Sequence, residues 1–172
     1  MPSMRWRRTG AGVPGRTAVA RGAAPGDNAH EMETIVVPCP GCRALNRVPR
    51  SRITDVPVCS SCRAHLLGAP VELDTAAFDR VTTATTLPVV VDFWAAGCGP
   101  CRTMAPNFAA AAQELAGEVV FAKVDTEAEP ALAARFEIRS IPCLVLLQGG
   151  KEVRRVSGAL PRAQLVQWLR GR

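Results

Sequence analysis

Six of the seven cysteines fall into three Cys-x-x-Cys pairs, a spacing that suits metal ligation or disulfide chemistry. The third pair, Cys98 and Cys101, follows the β-branched run 89–91 and precedes a helix-forming stretch, so it should lie where a strand passes into a helix. The first amides of a helix have no intrahelical partner and carry partial positive charge, which would lower the pKa of Cys98. Cys101, one turn further on, could close a small disulfide ring. The pair could therefore attack a substrate disulfide and then resolve the mixed disulfide.

Asp92 is an acidic residue inside the most apolar predicted strand, residues 87–94. A buried carboxylate costs several kcal/mol unless it is paired or takes up a proton. Below the helix it could accept the proton of Cys101, which favours disulfide exchange at Cys98 and Cys101 over a zinc knuckle or two inert core thiols. The alternative is a strand-end carboxylate that reaches solvent or pairs with Lys123. Lys123 itself is either that charge partner or a surface lysine.

Pro142 immediately precedes an apolar strand that begins with Cys143. A proline there removes a ladder donor, and a cis bond after Ile141 is a common way to make such a sharp entry. An ordinary trans proline at a strand start is the alternative. Cys143 is either a small buried apolar residue or a third redox thiol close to the active pair.

The first two pairs, Cys39/Cys42 and Cys59/Cys62, are separated by sixteen residues, a spacing typical of a four-cysteine zinc site. About thirty residues with few large apolar side chains cannot bury enough surface to fold unaided. Tetrahedral thiolate ligation would supply the missing folding energy. Two disulfides or free thiols are the alternatives, and His65 could in principle replace one ligand.

Residues 1–31 are rich in glycine, alanine, proline and arginine and show no apolar periodicity, so we expect disorder there. Translation starting at Met32 is an alternative. Residues 1–30 carry most of the net charge of +6. The sequence has no stripe of basic residues interleaved with aromatic residues, so it does not indicate a nucleic-acid surface. No apolar run approaches the roughly 20 residues needed to span a bilayer, and no signal peptide is recognisable. We therefore expect a cytoplasmic monomer with neither nucleic-acid nor membrane partners.

The apolar patterns beyond residue 68 predict a β-α-β-α-β-α-β-β-α order, typical of an α/β fold with a mixed central sheet and helices on both faces. The predicted helices cover 76–82, 98–116, 127–136 and 161–170. The first of the five predicted strands opens the domain near Val71, and the other four cover 87–94, 119–124, 143–147 and 153–157. The chain thus divides into a disordered extension (1–31), a four-cysteine zinc-binding module (32–68) and an α/β domain (69–172).

The run 94–101 (WAAGCGPC), with Asp92 before it and Arg139-Ser140-Ile141-Pro142 after it, resembles the thioredoxin family over about residues 71–170. The preceding four-cysteine module resembles that of the zinc-containing bacterial thioredoxin 2 type. The resemblance implies a thioredoxin fold preceded by a small zinc-ribbon-like module. It also implies protein-disulfide reduction, with electrons from NADPH through thioredoxin reductase.

The resemblance also implies roles for particular residues. Cys98 is the nucleophile, Cys101 the resolving thiol, Asp92 the buried acid/base group, Lys123 its partner and Pro142 a cis-proline. The expected substrate-docking residues are Trp94, Gly97, Gly99, Pro100, Ile141, Pro142 and Gly158. The expected zinc ligands are Cys39, Cys42, Cys59 and Cys62.

Two positions depart from the family pattern. The family usually has tryptophan before the first active cysteine, where this chain has Gly97, and threonine after the cis-proline, where it has Cys143. The first departure bears on substrate range and reductase docking, and the second on redox behaviour. The predicted function is a zinc-containing protein-disulfide reductase. The alternative is a redox-sensing adapter whose zinc module binds a partner protein.

Overall fold

The computed structural model describes residues 33–171, so the predictions for residues 1–31 and for Met32 lie outside the described range. The strands are β1 (Thr34–Pro38), β2 (Leu45–Pro49), β3 (Val71–Glu72), β4 (Val89–Trp94), β5 (Val120–Asp125), β6 (Cys143–Gln148) and β7 (Lys151–Ser157). The helices are α1 (Thr75–Ala84), α2 (Gly99–Glu114), α3 (Pro130–Arg135) and α4 (Arg162–Arg170), with a 3₁₀ helix at Arg50–Asp55. Among the described residues, no helix combines the length and apolar character that crossing a membrane requires.

The central sheet has five strands in the order β3-β5-β4-β6-β7. β5 runs parallel to both β3 and β4, whereas β6 is antiparallel to β4 and β7 is antiparallel to β6. β4 lies in the middle because its continuous apolar run can be buried on both faces of the sheet. The predicted mixed sheet is confirmed.

Different helices cover the two faces of this sheet. α1 and α3 cover one face, where the rings of Phe78 and Phe136 pack with centroids 5.2 Å apart. α2 and α4 cover the other face, where Phe108 and Val90 share a second core. Successive strand residues point to opposite faces. Asp92, two residues after Val90, therefore points towards α2, which positions it below the Cys-x-x-Cys segment.

Residues 33–68 form a small unit on the α1 side of the sheet, built on the antiparallel pair β1–β2. The Val36 amide donates to Thr86 Oγ1 (2.9 Å), and the Thr86 amide donates to the Val36 carbonyl (3.2 Å). Arg43 forms an ion pair with Asp74, whose side chain caps the N-terminus of α1. Buried side chains of β1 belong to the same apolar core as α1. The unit is therefore packed against the sheet rather than tethered to it.

α3 is shorter than the predicted helix over 127–136. Asp125 Oδ1 accepts a hydrogen bond from the Glu127 amide (2.9 Å), and the Asp125 carbonyl accepts one from the Glu129 amide (2.8 Å), so these residues form a turn. Proline disfavours helical backbone in the residue before it but fits the first turn of a helix. The helix consequently begins at Pro130.

The hairpin between β6 and β7 is tighter than predicted. Its loop contains only Gly149 and Gly150, both with left-handed φ (54° and 77°), which is typical of a two-residue hairpin turn. β7 therefore begins at Lys151, two residues before the predicted strand start.

Candidate functional site

Cys98 lies at the junction between β4 and α2, as the N-cap residue of the helix. Its Sγ accepts a hydrogen bond from the Cys101 amide (3.1 Å), and a disulfide joins the two cysteines with their Cα atoms 5.2 Å apart. Pro100 occupies the first turn of α2, where the missing amide hydrogen costs no bond. Cys98 is half-buried, whereas only 3% of Cys101 is exposed. Cys98 is thus the sulfur that another molecule can reach.

A loop before β6 faces the accessible sulfur. Cys98 Sγ lies 3.8 Å from the Ile141 carbonyl oxygen, and the peptide bond between Ile141 and Pro142 is cis. The Gly158 amide donates to the Pro142 carbonyl (2.8 Å), which ties the end of β7 to this loop. Gly158 has φ of 100°, a conformation that favours glycine. The structure therefore places Ile141 against Cys98 and joins Pro142 and Gly158 to the same loop.

Gly97, Gly99 and Pro100 adjoin Cys98 in the chain and are exposed or half-buried. A Cβ added at Gly97 would meet nothing within 4 Å, so the absence of a side chain there leaves open space beside Cys98. Trp94 differs from these residues. The centroid of its ring lies 4.0 Å from the Lys123 ammonium, and its side chain lines the cavity next to Asp92.

Asp92 is the buried charge of the site, with 1% of its surface exposed. It borders a cavity of about 70 Å³ whose other walls are Trp94, Cys101, Arg102, Ala105 and Lys123. Two buried polar atoms at this cavity, Asp92 Oδ1 and Trp94 Nε1, have no hydrogen-bond partner in the described part of the chain. Burial raises the pKa of Asp92 to about 7, with the positive charge of Lys123 opposing the rise and the negative charge of Glu72 adding to it.

Lys123 is the register partner of Asp92 in the neighbouring strand, but its ion pair is with a different residue. Its Nζ lies 3.2 Å from Glu72 Oε1. Lys123 therefore acts on Asp92 by its charge across the cavity, while its direct partner is Glu72. Sequence reasoning missed Glu72 because β3 has only two residues, too few to show an alternating pattern.

Replacing Asp92 with asparagine should stabilise the protein increasingly as the pH rises. At pH values below 3.8, the pKa of this carboxyl in the unfolded chain, Asp92 is protonated in both states and does not affect the unfolding free energy. As the pH rises from 3.8 towards 7, the unfolded chain loses this proton but the folded protein keeps it, so folding becomes less favourable. The gain in unfolding free energy of Asp92→Asn over the parent should grow by about 2 to 3 kcal/mol between pH 5 and pH 8. Urea unfolding of both proteins across this range measures it.

The matched control for this experiment is Asp79→Asn, because Asp79 is an exposed carboxyl of the same domain. Its unfolding free energy relative to the parent should change little with pH. A gain in Asp92→Asn that stays constant from pH 5 to pH 8 would show that the buried carboxyl is not the source of the effect.

Cys143 lies on the opposite side of the sheet from the Asp92 cavity. It is 2% exposed and belongs to the apolar core that contains α1, and its Sγ lies 3.8 Å from Ser157 Oγ. This environment fits the small buried apolar residue, the first of the two interpretations of Cys143.

The four remaining cysteines converge at the turns of residues 33–68. The Sγ atoms of Cys39, Cys42, Cys59 and Cys62 all lie within 4.8 Å of one another. The Cys39–Cys62 and Cys42–Cys59 sulfur distances are 3.4 and 3.7 Å. A tetrahedron of Zn–S bonds about 2.3 Å long has edges of about 3.8 Å. The donor set therefore fits a tetrahedral metal ion, and His65 is exposed outside this cluster.

The two Cys-x-x-Cys turns have the same backbone construction. In the first, the Arg43 amide donates to the Cys39 carbonyl (2.8 Å), and in the second the Arg63 amide donates to the Cys59 carbonyl (3.0 Å). Both arginines adopt left-handed φ, 60° and 66°. Backbone amides of Cys62 and Ser61 lower the pKa of Cys59 to about 6, which favours the thiolate that a metal needs.

Asn46 links the two turns and was not identified from the sequence. Its side-chain amide donates to the Ala44 carbonyl (2.8 Å) and to Cys59 Sγ (3.6 Å), and its Oδ1 accepts from the Ser60 amide (3.2 Å). Asn46 is buried, so these bonds account for polar groups that water cannot reach. A lone asparagine in a short strand carries no sequence signal of such a role.

Known proteins resemble this chain over most of its length. A family model described as thioredoxin matches residues 69–171. The chain is 46% identical over 136 residues to Thioredoxin C-3 of Corynebacterium nephridii, covering 78% of this chain and 93% of that protein. This alignment is longer than the 69–171 segment, so it extends into the four-cysteine unit.

Two further relatives match the sheet-containing part. Thioredoxin 1 of Nostoc sp. is 39% identical over 103 residues, which is 60% of this chain and 96% of that protein. The bifunctional thioredoxin reductase/thioredoxin of Mycobacterium leprae is 38% identical over 100 residues, 58% of this chain but only 22% of that protein. The disulfide at the strand–helix junction, the mixed sheet and these matches agree, and the chain belongs to the thioredoxin family of thiol–disulfide oxidoreductases.

Proposed function

We propose that this protein reduces disulfide bonds in other proteins by dithiol–disulfide exchange through Cys98 and Cys101. The observation that carries the proposal is the asymmetry of the pair. Cys98 is half-buried, lies at a helix N-terminus and faces the Ile141 carbonyl, whereas Cys101 is buried beside the cavity of Asp92. One sulfur is therefore suited to attack a substrate, and the other to resolve the product.

The reaction begins from the dithiol form. The Cys98 thiolate, stabilised by the helix N-terminus, attacks one sulfur of a substrate disulfide. A bond forms between Cys98 and that sulfur, and the second substrate sulfur leaves as a thiolate that takes a proton from water.

Cys101 completes the reaction. Its thiolate attacks Cys98 Sγ and the mixed disulfide breaks, so the protein retains the Cys98–Cys101 disulfide. The substrate sulfur leaves as a thiolate that takes a proton from water, which completes the substrate dithiol. Asp92 accepts the proton of Cys101 in this step. A carboxyl with a pKa of about 7 suits the role, because it can accept and release a proton near neutral pH.

The docking surface is the rim around Cys98. Ile141, Pro142 and Gly158 form one side, and Gly97, Gly99 and Pro100 form the other. Because Gly97 leaves open space, a substrate segment can approach the sulfur without displacing a side chain. Trp94 contributes indirectly, through its packing against Lys123 beside Asp92.

The four-cysteine unit, residues 32–68, is proposed to be a structural zinc module that precedes the thioredoxin domain, residues 69–172. Cys39, Cys42, Cys59 and Cys62 would hold the ion as thiolates. Zinc, when bound, supplies folding free energy to a unit too small to fold on its apolar core alone. Asn46 orients the Cys59 sulfur through its side-chain amide.

The electron donor is proposed to be an NADPH-linked thioredoxin reductase. Support comes from the Mycobacterium leprae relative, whose name joins a thioredoxin reductase and a thioredoxin in one chain. We propose that the protein acts as a monomer in the cytoplasm, a reducing compartment that suits the Gly99-Pro100 sequence shared with reducing members of the family.

The test is insulin reduction by the purified full-length protein, supplied with NADPH and thioredoxin reductase or with dithiothreitol. Turnover with both donors is expected. Turnover with dithiothreitol alone would overturn the proposed reductase partner but not the exchange chemistry. No turnover with either donor would overturn the reductase function and favour the adapter alternative, in which the zinc module binds a partner protein.

A further inference from the structure

Three charged residues form a row across three adjacent strands. Glu72 of β3 is the register partner of Lys123 of β5, and Lys123 is the register partner of Asp92 of β4. Register partners in a parallel sheet lie on the same face, here the α2 side. The row thus runs from the outer strand of the sheet to the cavity beside Cys101.

Exposure falls steeply along this row. The Glu72 side chain is 59% exposed and the Lys123 side chain 18%, whereas Asp92 is 1% exposed. The Lys123 ammonium is held at two points, by Glu72 Oε1 at 3.2 Å and by the Trp94 ring at 4.0 Å. Asp92 Oδ1 has no hydrogen-bond partner in the described part of the chain. The cation next to the buried carboxyl is therefore bound to a competing carboxylate.

We propose that Glu72 is a positioning residue of the exchange site. Glu72 holds the Lys123 ammonium on the outer side of the cavity and so keeps Asp92 without a direct cation partner. The inference rests on the proposed function for its catalytic meaning, since Asp92 matters there as a proton acceptor. Its structural content, the competition of two carboxylates for one ammonium, does not depend on any substrate.

The consequence concerns the proton on Asp92. A lysine that paired directly with Asp92 would hold it as a carboxylate of low proton affinity. A lysine drawn away by Glu72 leaves burial as the dominant influence, and the Glu72 charge adds repulsion. Both effects act in the same direction. Asp92 consequently has a higher proton affinity, which lets the carboxylate accept the proton of Cys101 and release it again near neutral pH.

Other groups around Asp92 do not replace this arrangement. From α2, Cys101 and Arg102 line the cavity, and the Arg102 Nη1 donates to the Ala96 carbonyl at 3.2 Å. The β6 neighbour of Asp92 is Leu144, which carries no charge. Lys123 is therefore the cation whose position Glu72 controls.

The experiment is a carbon-13 NMR titration of the Asp92 carboxyl in the full-length protein, oxidised so that neither active cysteine titrates. Glu72→Gln, which keeps the shape and removes the charge, should lower the Asp92 titration midpoint by about 0.5 to 1 pH unit. Glu72→Asp, which retains the charge, should stay closer to the parent than Glu72→Gln does. An unchanged or raised midpoint in Glu72→Gln would overturn the proposal.

Two controls separate positioning from simple charge removal. Glu152→Gln breaks another ion pair of the same sheet, with Arg155 on β7, and should leave the Asp92 midpoint unchanged. In a Lys123→Met background, Glu72→Gln should shift the midpoint by less than half as much as in the parent, because no ammonium remains to be released. An equal shift in both backgrounds would show that Glu72 acts by repulsion alone and would overturn its positioning role.

The same titration distinguishes this inference from the proposed function. It uses no substrate, so a failure of insulin reduction leaves its result unaffected. If Asp92→Asn reduces insulin at the parent rate while Glu72→Gln still shifts the midpoint, the proton role of Asp92 in the proposed function fails and the positioning role of Glu72 stands.

Discussion

Cys98→Ser should lose protein-disulfide reduction to the uncatalysed level, a fall on the order of 10³-fold or more. The serine hydroxyl cannot form the mixed disulfide, and the buried Cys101 cannot take over the attack because only 3% of it is exposed. Insulin turbidity with dithiothreitol as donor measures the loss without requiring reductase docking. Cys143→Ser is the matched control and should keep the parent rate, since Cys143 lies in the core on the other side of the sheet.

Cys101→Ser should have a different outcome, because the first attack is intact and the second is lost. The protein should accumulate as a covalent adduct with its substrate, visible by non-reducing electrophoresis and by a mass increase equal to that of the substrate chain. Trapping by Cys98→Ser in place of Cys101→Ser would reverse the assigned order of attack. Full activity of Cys98→Ser would contradict the mechanism altogether.

The exchange site could be predicted from the sequence because its parts are local. Cys98 and Cys101 lie within one turn, and their position after a β-branched strand is sufficient to place them at a helix N-terminus. Asp92 was recognisable as an acidic residue inside an apolar run, and its burial follows from the middle position of β4 in the sheet. Placing the two cysteines and recognising Asp92 as an acidic residue in an apolar strand needed no knowledge of which strands pair.

The parts that could not be predicted depend on pairing between distant segments. Glu72 acquires its role only because β3 pairs with β5 in the register that sets it opposite Lys123. The contact of Arg43 with Asp74 likewise depends on how the four-cysteine unit packs against α1. No periodicity within either segment encodes such contacts. The predicted partner of Lys123 was Asp92, whereas its ion pair in the structure is with Glu72.

The predicted start of α3, residue 127, was wrong for a local reason that is visible in the sequence. Asp125 accepts bonds from two following amides and so delays α3 to Pro130. An aspartate two residues before a helix-like segment is a common turn former. The prediction over 127–136 followed the apolar pattern of the helix and did not take this turn former into account.

The purified protein should contain about one zinc per chain, and Cys59→Ser should reduce this to a small fraction. Cys59 is buried, and it receives hydrogen bonds from the Asn46 side-chain amide and from the Ser61 amide (3.4 Å), so its thiolate is the best supported of the four. Elemental analysis of the purified protein measures the metal content. Cys98→Ser is the matched control and should keep its zinc.

Loss of the metal should also destabilise the rest of the chain. Buried side chains of β1 belong to the same core as α1, and Val36 and Thr86 exchange two hydrogen bonds. Unfolding of the four-cysteine unit would therefore expose apolar surface of α1, and structural zinc contributes on the order of 10 kcal/mol to small metal-dependent units.

We expect Cys59→Ser to lower the melting temperature of the whole protein and to expose α1 amides to hydrogen exchange, whereas Cys98→Ser leaves α1 protected. A Cys59→Ser variant that retained its zinc would contradict the ligand assignment. A variant that lost zinc yet kept the α1 protection of the parent would show that the unit and the sheet fold independently, in spite of their shared core.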